Sequence, residues 1–88
     1  MKAKVYVTLK DGIHDPQGKA IGQALSTLGF NDVKEVRAGK YFEIEMTPTS
    51  RGTAVLSIDK MCETLLANTV IEKYQYEVIE NGIKTEEV

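Results

Sequence analysis

Few of the residues that build catalytic or metal sites occur in this 88-residue chain. It has one cysteine, Cys62, one histidine, His14, and no tryptophan. A lone cysteine can form neither an internal disulfide nor a multi-cysteine zinc site, and such usage is typical of a reducing compartment. Catalysis by a side chain needs a nucleophile beside a base, paired carboxylates or grouped metal ligands, and the sequence offers little of each.

Long apolar runs and an excess of positive charge are also missing. The apolar stretches are only a few residues long, too short for a secretion signal or a membrane span. The 11 basic and 13 acidic residues leave a net charge of -2, so a nucleic-acid backbone would on average be repelled. We therefore expect a cytoplasmic protein that binds neither membrane nor nucleic acid.

The length allows one domain with a thin core. Hydrophobic residues make up 42% of the chain, as in ordinary globular proteins. A domain this small buries only roughly 60% of the surface that its unfolded chain exposes, which makes association with a partner an attractive source of stability. We expect a single domain over residues 1–80 and a polar C-terminal tail over 81–88.

The first half of the chain predicts a strand followed by a helix. Residues 2–10 alternate between apolar and polar side chains, as in a strand with one buried face. Asp15 can cap a helix that begins at Pro16, and Gly29 can end it. The apolar residues at helical spacing are Ile21, Leu25 and Leu28.

The second half predicts three more strands and one helix. Period-two patterns at 33–37 and 41–47 flank a break at 38–40, which indicates a hairpin. A helix capped near Ser50 would run to about Ala67, and a last strand would cover 70–80. The helix would bury an apolar stripe made of Val55, Ile58, Cys62 and Leu65.

The resulting order, βαββαβ, favours an α+β fold of the ferredoxin-like type. Such a fold has an antiparallel four-stranded sheet with two helices on one face. The other face would be open, with Tyr6, Thr8, Tyr41, Glu43 and Ile79 among its residues. A mixed polar and apolar open face is a candidate association surface.

Each isolated chemical group has an ordinary structural explanation. His14 lies in a loop and is expected to be solvated, although a ligand role is conceivable. Cys62 lies on an apolar helix stripe, where burial makes a thiol less reactive. Glu43 and Glu45 could bind a cation, but an acidic solvent face is the commoner meaning of such a pattern. We therefore assign no catalytic, cofactor-binding or metal-binding residue.

The segment 37–41 is the most distinctive loop. Arg37, Lys40 and Tyr41 place two cations and an aromatic ring at the predicted hairpin tip. Such a tip can dock a partner or an anion, and an ordinary charged hairpin would look the same. The residues alone leave both interpretations open.

Several motifs in combination resemble the PurS family over about residues 2–80. They are Val5-Tyr6-Val7-Thr8-Leu9-Lys10, Asp15-Pro16-Gln17-Gly18, Val36-Arg37 with Gly39-Lys40-Tyr41, and Met61-Cys62-Glu63 running on through Leu65 to Glu72. Members of that family are the small, noncatalytic subunit of phosphoribosylformylglycinamidine synthase. This enzyme of purine biosynthesis is an amidoligase that uses ATP and glutamine nitrogen.

The resemblance implies partners and roles for particular residues. ATP and Mg would belong to a large synthetase subunit, and a glutaminase subunit would release ammonia. This chain would hold no cofactor, would bridge the two and assist ammonia transfer, and would form a homodimer or a dimer of dimers. Candidates for partner contact are Arg37, Gly39, Lys40 and Tyr41. Asp15, Pro16 and Gly18 match a motif that a helix cap explains, and Asn68 and Thr69 match a turn whose role is structural or functional.

Two other functions remain possible from the residues. A ferredoxin-like domain can bind a small ligand such as an amino acid at a dimer seam and act as a regulatory domain. RNA binding on the open sheet needs exposed aromatics ringed by basic charge. The acidic residues Glu43 and Glu45 argue against the RNA alternative.

Overall fold

The computed structural model describes residues 1–80 and 83–87. Strand β1 spans Lys2–Leu9, helix α1 Pro16–Thr27 and strand β2 Gly39–Glu45. Helix α2 spans Arg51–Met61 and continues into a π-helical turn at Cys62–Leu66. Strand β3 spans Glu72–Glu80 and strand β4 Ile83–Glu87. The α+β class and the presence of two helices were both predicted from the sequence.

Strand β1 is an inner strand of the sheet and pairs on both edges. It runs antiparallel to β2 and to β3, so that Val5 lies opposite Phe42 on one side and Tyr76 on the other. Strand β4 pairs antiparallel with β3, which gives the order β2-β1-β3-β4. The three strands β1, β2 and β3 carry the core.

The core lies between one face of this sheet and α2. Ala3, Val5 and Val7 alternate along β1 and are fully buried, as the period of two predicts. Helix α2 adds Ile58 and the π-helical turn adds Cys62, both fully buried, and β3 adds Tyr76 and Val78. Each fully buried aliphatic side chain contributes about 1.5–3 kcal/mol, so this small cluster supplies most of the apolar stabilisation.

The end of α2 departs from the helical pattern expected of it. Ser50 caps the helix as predicted, its Oγ accepting a hydrogen bond from the Thr53 amide at 3.2 Å. At the other end the Ala67 amide donates to the Cys62 carbonyl, five residues back, at 2.9 Å. This wider turn shifts the rotational phase of the helix, and Leu65 is 83% exposed. The assignment of Leu65 to the buried stripe was therefore wrong.

Helix α1 does not cover the sheet as the two-helix prediction required. Its one buried residue is Gly18, whereas Ile21 and Leu28 are 40% and 73% exposed. Its small-residue side instead faces the chain that returns from it, with Gly18 and Gly22 against Val36. We call residues 16–36 the arm, meaning α1 together with its return segment.

The strand predicted at 33–37 is not formed. Those residues have no strand pairing, so β2 has no hairpin partner and its outer edge is not paired within the described residues. The cause is that Val36 is held against Gly18 of α1 and is not free to pair with β2. The order is thus βαβαββ, and the ferredoxin-like βαββαβ prediction is wrong in this strand.

Part of the polar C-terminal tail expected over 81–88 has regular structure, since the backbone of 83–87 forms β4. Residues 81, 82 and 88 lie outside the described residues.

Replacing Gly18 by alanine should destabilise the fold. A Cβ at this position would clash with the Val36 carbonyl oxygen, a backbone atom that cannot move without displacing the arm. We expect Gly18→Ala to lower the free energy of unfolding by about 1–3 kcal/mol in urea denaturation. The matched control is Gly52→Ala in the first turn of α2, where a Cβ meets nothing within 4 Å. The control should be neutral or stabilising, and equal effects of the two variants would contradict the close approach.

Candidate assembly site

The carboxylate of Asp15 joins the start of α1 to the start of β2. Its Oδ1 accepts a hydrogen bond from the Gly18 amide at 2.8 Å, and its Oδ2 accepts one from the Ala38 amide at 2.7 Å. The side chain is buried. These two amide donors, the Gly18 bond first, lower the pKa of Asp15 below its ordinary value of 3.8. We call Asp15, Gly18, Arg37 and Ala38 the clamp.

Arg37 completes the clamp from the other side. Its guanidinium donates to the Ile13 carbonyl at 3.1 Å and to the Lys10 carbonyl at 3.2 Å. Both carbonyls belong to the loop between β1 and α1, so the side chain ties that loop to the residues before β2. Arg37 was predicted to contact a partner, and the structure gives it contacts within its own chain.

Gly39 and Lys40 likewise make structural contacts. A Cβ on Gly39 would lie 2.6 Å from the Val7 carbonyl oxygen, so only glycine allows this approach of β2 to β1. The Lys40 ammonium donates to the Leu66 carbonyl at 3.3 Å and pairs with the Glu72 carboxylate at 3.4 Å. It thus holds the C-terminal end of the α2 extension, where an unpaired carbonyl favours a cation.

Tyr41 points to the open face of the sheet and is 48% exposed. Its ring lies 5.2 Å from the ring of Tyr6, and its hydroxyl donates to Glu43 at 2.8 Å. Desolvation and this hydrogen bond raise the pKa of Tyr41 to about 12, while the same bond and the Lys2 ammonium lower the pKa of Glu43. The open face therefore presents two aromatic rings beside carboxylates, which is a surface suited to protein contact.

Asn68 and Thr69 occupy the turn into β3. The Asn68 side chain accepts from the Val70 amide at 3.2 Å, and its carbonyl accepts from the Ile71 and Glu72 amides. Its own amide donates to the Glu72 carboxylate at 2.7 Å. Asn68 thus closes the turn that Lys40 contacts through Glu72, whereas Thr69 is exposed.

The isolated chemical groups do not come together. Cys62 is fully buried, and desolvation raises the pKa of its thiol to about 11, so it is unreactive at neutral pH. His14 is exposed at the mouth of a cavity of about 420 Å³ between α1 and residues 33–36. Across residues 1–80 and 83–87, no three histidine, cysteine or acidic side chains are grouped to hold a metal, and no helix could span a membrane.

Sequence reasoning missed three features of this region. The Ala38 amide, the second donor to Asp15, belongs to a residue whose side chain carries no signal. Glu72 was correctly placed in the last strand, but its ion pair with Lys40 was not predicted. The cavity between α1 and residues 33–36, which we call the arm cavity, forms because α1 lies along its return segment. The small residues Gly18 and Gly22 were the sequence signal that could have indicated this close approach.

Fold and site together define a small α+β domain whose polar side chains position loops and whose exposed surfaces suit binding to other proteins. A sequence model of the PurS family, described as phosphoribosylformylglycinamidine (FGAM) synthase, matches residues 2–80. The chain belongs to the PurS family.

Related proteins match nearly the whole domain in sequence and in fold. The chain is 52% identical to the phosphoribosylformylglycinamidine synthase subunit PurS of Bacillus subtilis, covering 90% of this chain and 93% of that protein. Its fold matches a crystal structure of Bacillus subtilis PurS with a TM-score of 0.79, covering 90% and 98% of the two chains. It also matches a chain in the structure of PurLQS from Thermotoga maritima, 31% identical with a TM-score of 0.78, over 85% and 92% of the two chains.

Removing the charge of Asp15 should weaken the fold in a pH-dependent way. In Asp15→Asn the amide NH₂ would face one of the two backbone N–H donors, so we expect a lower urea midpoint than wild type at pH 7. Because the folded pKa is lowered, the wild-type advantage is present above the ordinary value of 3.8 and is lost as the pH falls through the folded pKa.

The measurement is urea denaturation at several pH values. The difference in midpoint between wild type and Asp15→Asn should shrink steadily below about pH 4. Asp11→Asn is the control, since the Asp11 side chain is fully exposed in a long ion pair with Lys73 and should change the midpoint little. A difference that does not change with pH would contradict the assigned role of the carboxylate.

Proposed function

We propose that this chain is the noncatalytic small subunit of a cytoplasmic phosphoribosylformylglycinamidine synthase complex in purine biosynthesis. It bridges a large ATP- and Mg-dependent synthetase subunit and a glutaminase subunit, assists ammonia transfer between them and associates with itself. The observation that carries the proposal is the family match over residues 2–80. The likeness to a chain of the Thermotoga maritima PurLQS structure supports an assembly with other subunits.

The contacts of the described residues favour a scaffolding part in that reaction. The Arg37 and Lys40 side chains donate hydrogen bonds to backbone carbonyls, and Lys40 also forms an ion pair with Glu72. Asp15 is committed to two amides, and the Cys62 thiol is buried. These groups stabilise loops and strands, so the chemistry is assigned to the partners.

The proposal predicts different effects on product formation with glutamine and with ammonium as the nitrogen source. With the large and glutaminase subunits present, omission of this chain should abolish most product formation from glutamine, because ammonia is no longer delivered. Saturating ammonium salt supplies nitrogen directly and should restore product formation by the large subunit. The measurement is ATP-dependent amidation with each nitrogen source. Full glutamine-dependent activity without this chain would contradict the bridging role.

The surface around segment 37–41 is our candidate for partner contact. We expect the double variant Lys40→Ala, Tyr41→Ala to weaken complex formation at least tenfold, because Tyr41 provides exposed aromatic area beside the edge of β2 that no described residue pairs. The control is Lys60→Ala, Leu56→Ala, which removes one cation and one large apolar side chain from exposed positions on α2.

Affinity is measured by sedimentation or light scattering with the large subunit, and circular dichroism checks the fold of each variant. Equal affinities for the double variant and its control would remove segment 37–41 from the interface. Loss of affinity in the control alone would place the contact on α2.

The arm cavity favours a second candidate function, the binding of a small ligand. Lys19, Lys34 and Glu35 line it with Ser26 and His14, a set that could pair with both charged groups of an amino acid. Calorimetry with amino acids and nucleotides separates the candidates, since the scaffold function expects no tight binding by the isolated chain.

A further inference from the structure

One side of α1 is polar and forms a wall of the arm cavity. Lys19, Gln23 and Ser26 line the cavity, and their spacing places them in one row along the helix. The apolar residues of α1, Ile21 and Leu28 among them, lie on the opposite side at helical spacing. A protein that covers the apolar side therefore does not fill the cavity.

The return segment forms the facing wall. Val36 lies against α1, and its Cγ2 is 3.7 Å from the position that a Cβ on Gly22 would take. Lys34 and Glu35 directly precede Val36 and line the cavity as well. A ligand between the two walls would thus meet Lys19 on one side and a lysine and a glutamate on the other.

The polar side chains of this cavity are available to a ligand. Within residues 1–80 and 83–87, Lys19, Gln23, Lys34 and Glu35 take part in no side-chain hydrogen bond or ion pair. The ammonium of Lys40, by contrast, is paired inside the chain. A concave surface with a few convergent polar groups is the usual form of a small-ligand site.

We propose that the arm cavity binds a free α-amino acid whose side chain ends in a carboxamide, with glutamine as the representative ligand. The α-carboxylate pairs with the ammonium groups of Lys19 and Lys34, and the α-ammonium pairs with the Glu35 carboxylate. The carboxamide donates and accepts hydrogen bonds and so matches the amide of Gln23. The inference deepens the small-ligand candidate described above and rests on it.

Charge and size favour this class of ligand. A zwitterion satisfies both signs of charge in the walls, whereas a phosphate group would face Glu35 as a like charge. Asp15 also lines the cavity, but both of its carboxylate oxygens are engaged by backbone amides. Lys19 and Gln23 are about 6 Å apart along the helix axis, a distance that a side chain of a few carbons can span. The cavity of about 420 Å³ has room for such a side chain.

The ligand would act on the arm itself. Because it contacts both walls, it ties α1 to the return segment and makes the arm more rigid. Glutamine is the nitrogen source of the proposed complex, so the cavity would give the small subunit a response to the supply of that substrate. The contacts are solvent-exposed, and the expected Kd is of order 1 mM. Such weak binding agrees with the absence of tight binding that the scaffold function expects.

Titration of the isotope-labelled full chain, followed by two-dimensional NMR, tests the ligand class. Glutamine should shift amide signals of residues 14–36 and saturate with a Kd near ~1 mM. Norleucine has the same α groups but no carboxamide and should bind about fivefold more weakly or less. Equal affinities, shifts confined to other residues, or no shift at about 50 mM glutamine would overturn the proposal. Adenosine monophosphate is the competing probe, and its binding in the cavity in place of glutamine would also overturn it.

Substitutions in the cavity test the assigned contacts. Glu35→Gln keeps the shape of the side chain and removes the charge that pairs with the α-ammonium, so the Kd for glutamine should rise about fivefold or more. The matched control is Glu63→Gln, an exposed position outside the cavity, which should leave the Kd unchanged. Gln23→Ala should reduce the preference for glutamine over norleucine to less than about twofold. An unchanged Kd in Glu35→Gln, an equal rise in the control, or a preference that survives Gln23→Ala would contradict the assignment.

Failure here is distinguishable from failure of the scaffold function. A chain that does not bind glutamine would still co-elute with the synthetase and glutaminase subunits if the scaffold function is right. A chain that binds glutamine in the arm cavity and co-elutes with neither subunit would refute the scaffold function and leave the ligand site intact.

Discussion

The buried carboxylate of Asp15 is the constraint on which the remaining geometry depends. It takes one amide from residue 18 and another from residue 38, so a single side chain fixes two chain segments twenty positions apart at the same end of the sheet. Because both acceptor oxygens are used, the entry to α1 and the entry to β2 cannot move independently. The direction of the arm and the start of the β1–β2 pairing follow from this one group.

The sequence predicted the contact of Asp15 with the start of α1. Asp15 followed by Pro16 is a strong helix-start pattern, and the helix begins there. The bond to the Ala38 amide could not be predicted, because any backbone amide can fill such a position and only the fold selects one. For the same reason the hydrogen bonds from Arg37 to the carbonyls of residues 10 and 13 were not predicted, and its contact with a partner stays a prediction.

The wrong predictions arise where backbone contacts overrode the local hydrophobic pattern. Residues 33–37 have strand-forming composition, but the close approach of Val36 to Gly18 commits them to the arm. Leu65 has the right helical spacing, but the π-helical turn at Cys62–Leu66 rotates it away from the core. The alternating strands β1, β2 and β3 were predicted well because burial of one face is encoded residue by residue.

The distribution of polar and apolar groups bears on how such a small domain functions. The polar side chains of Asp15, Arg37 and Lys40 are buried or paired, and their contacts hold backbone segments in place. Large apolar side chains such as Leu28 and Phe30 are left outside. An isolated globular enzyme shows the reverse, with polar groups gathered in a pocket and apolar groups inside. A chain that rigidifies its loops and leaves some large apolar side chains exposed is suited to contact with other chains, and its PurS relatives are named as subunits of a synthase.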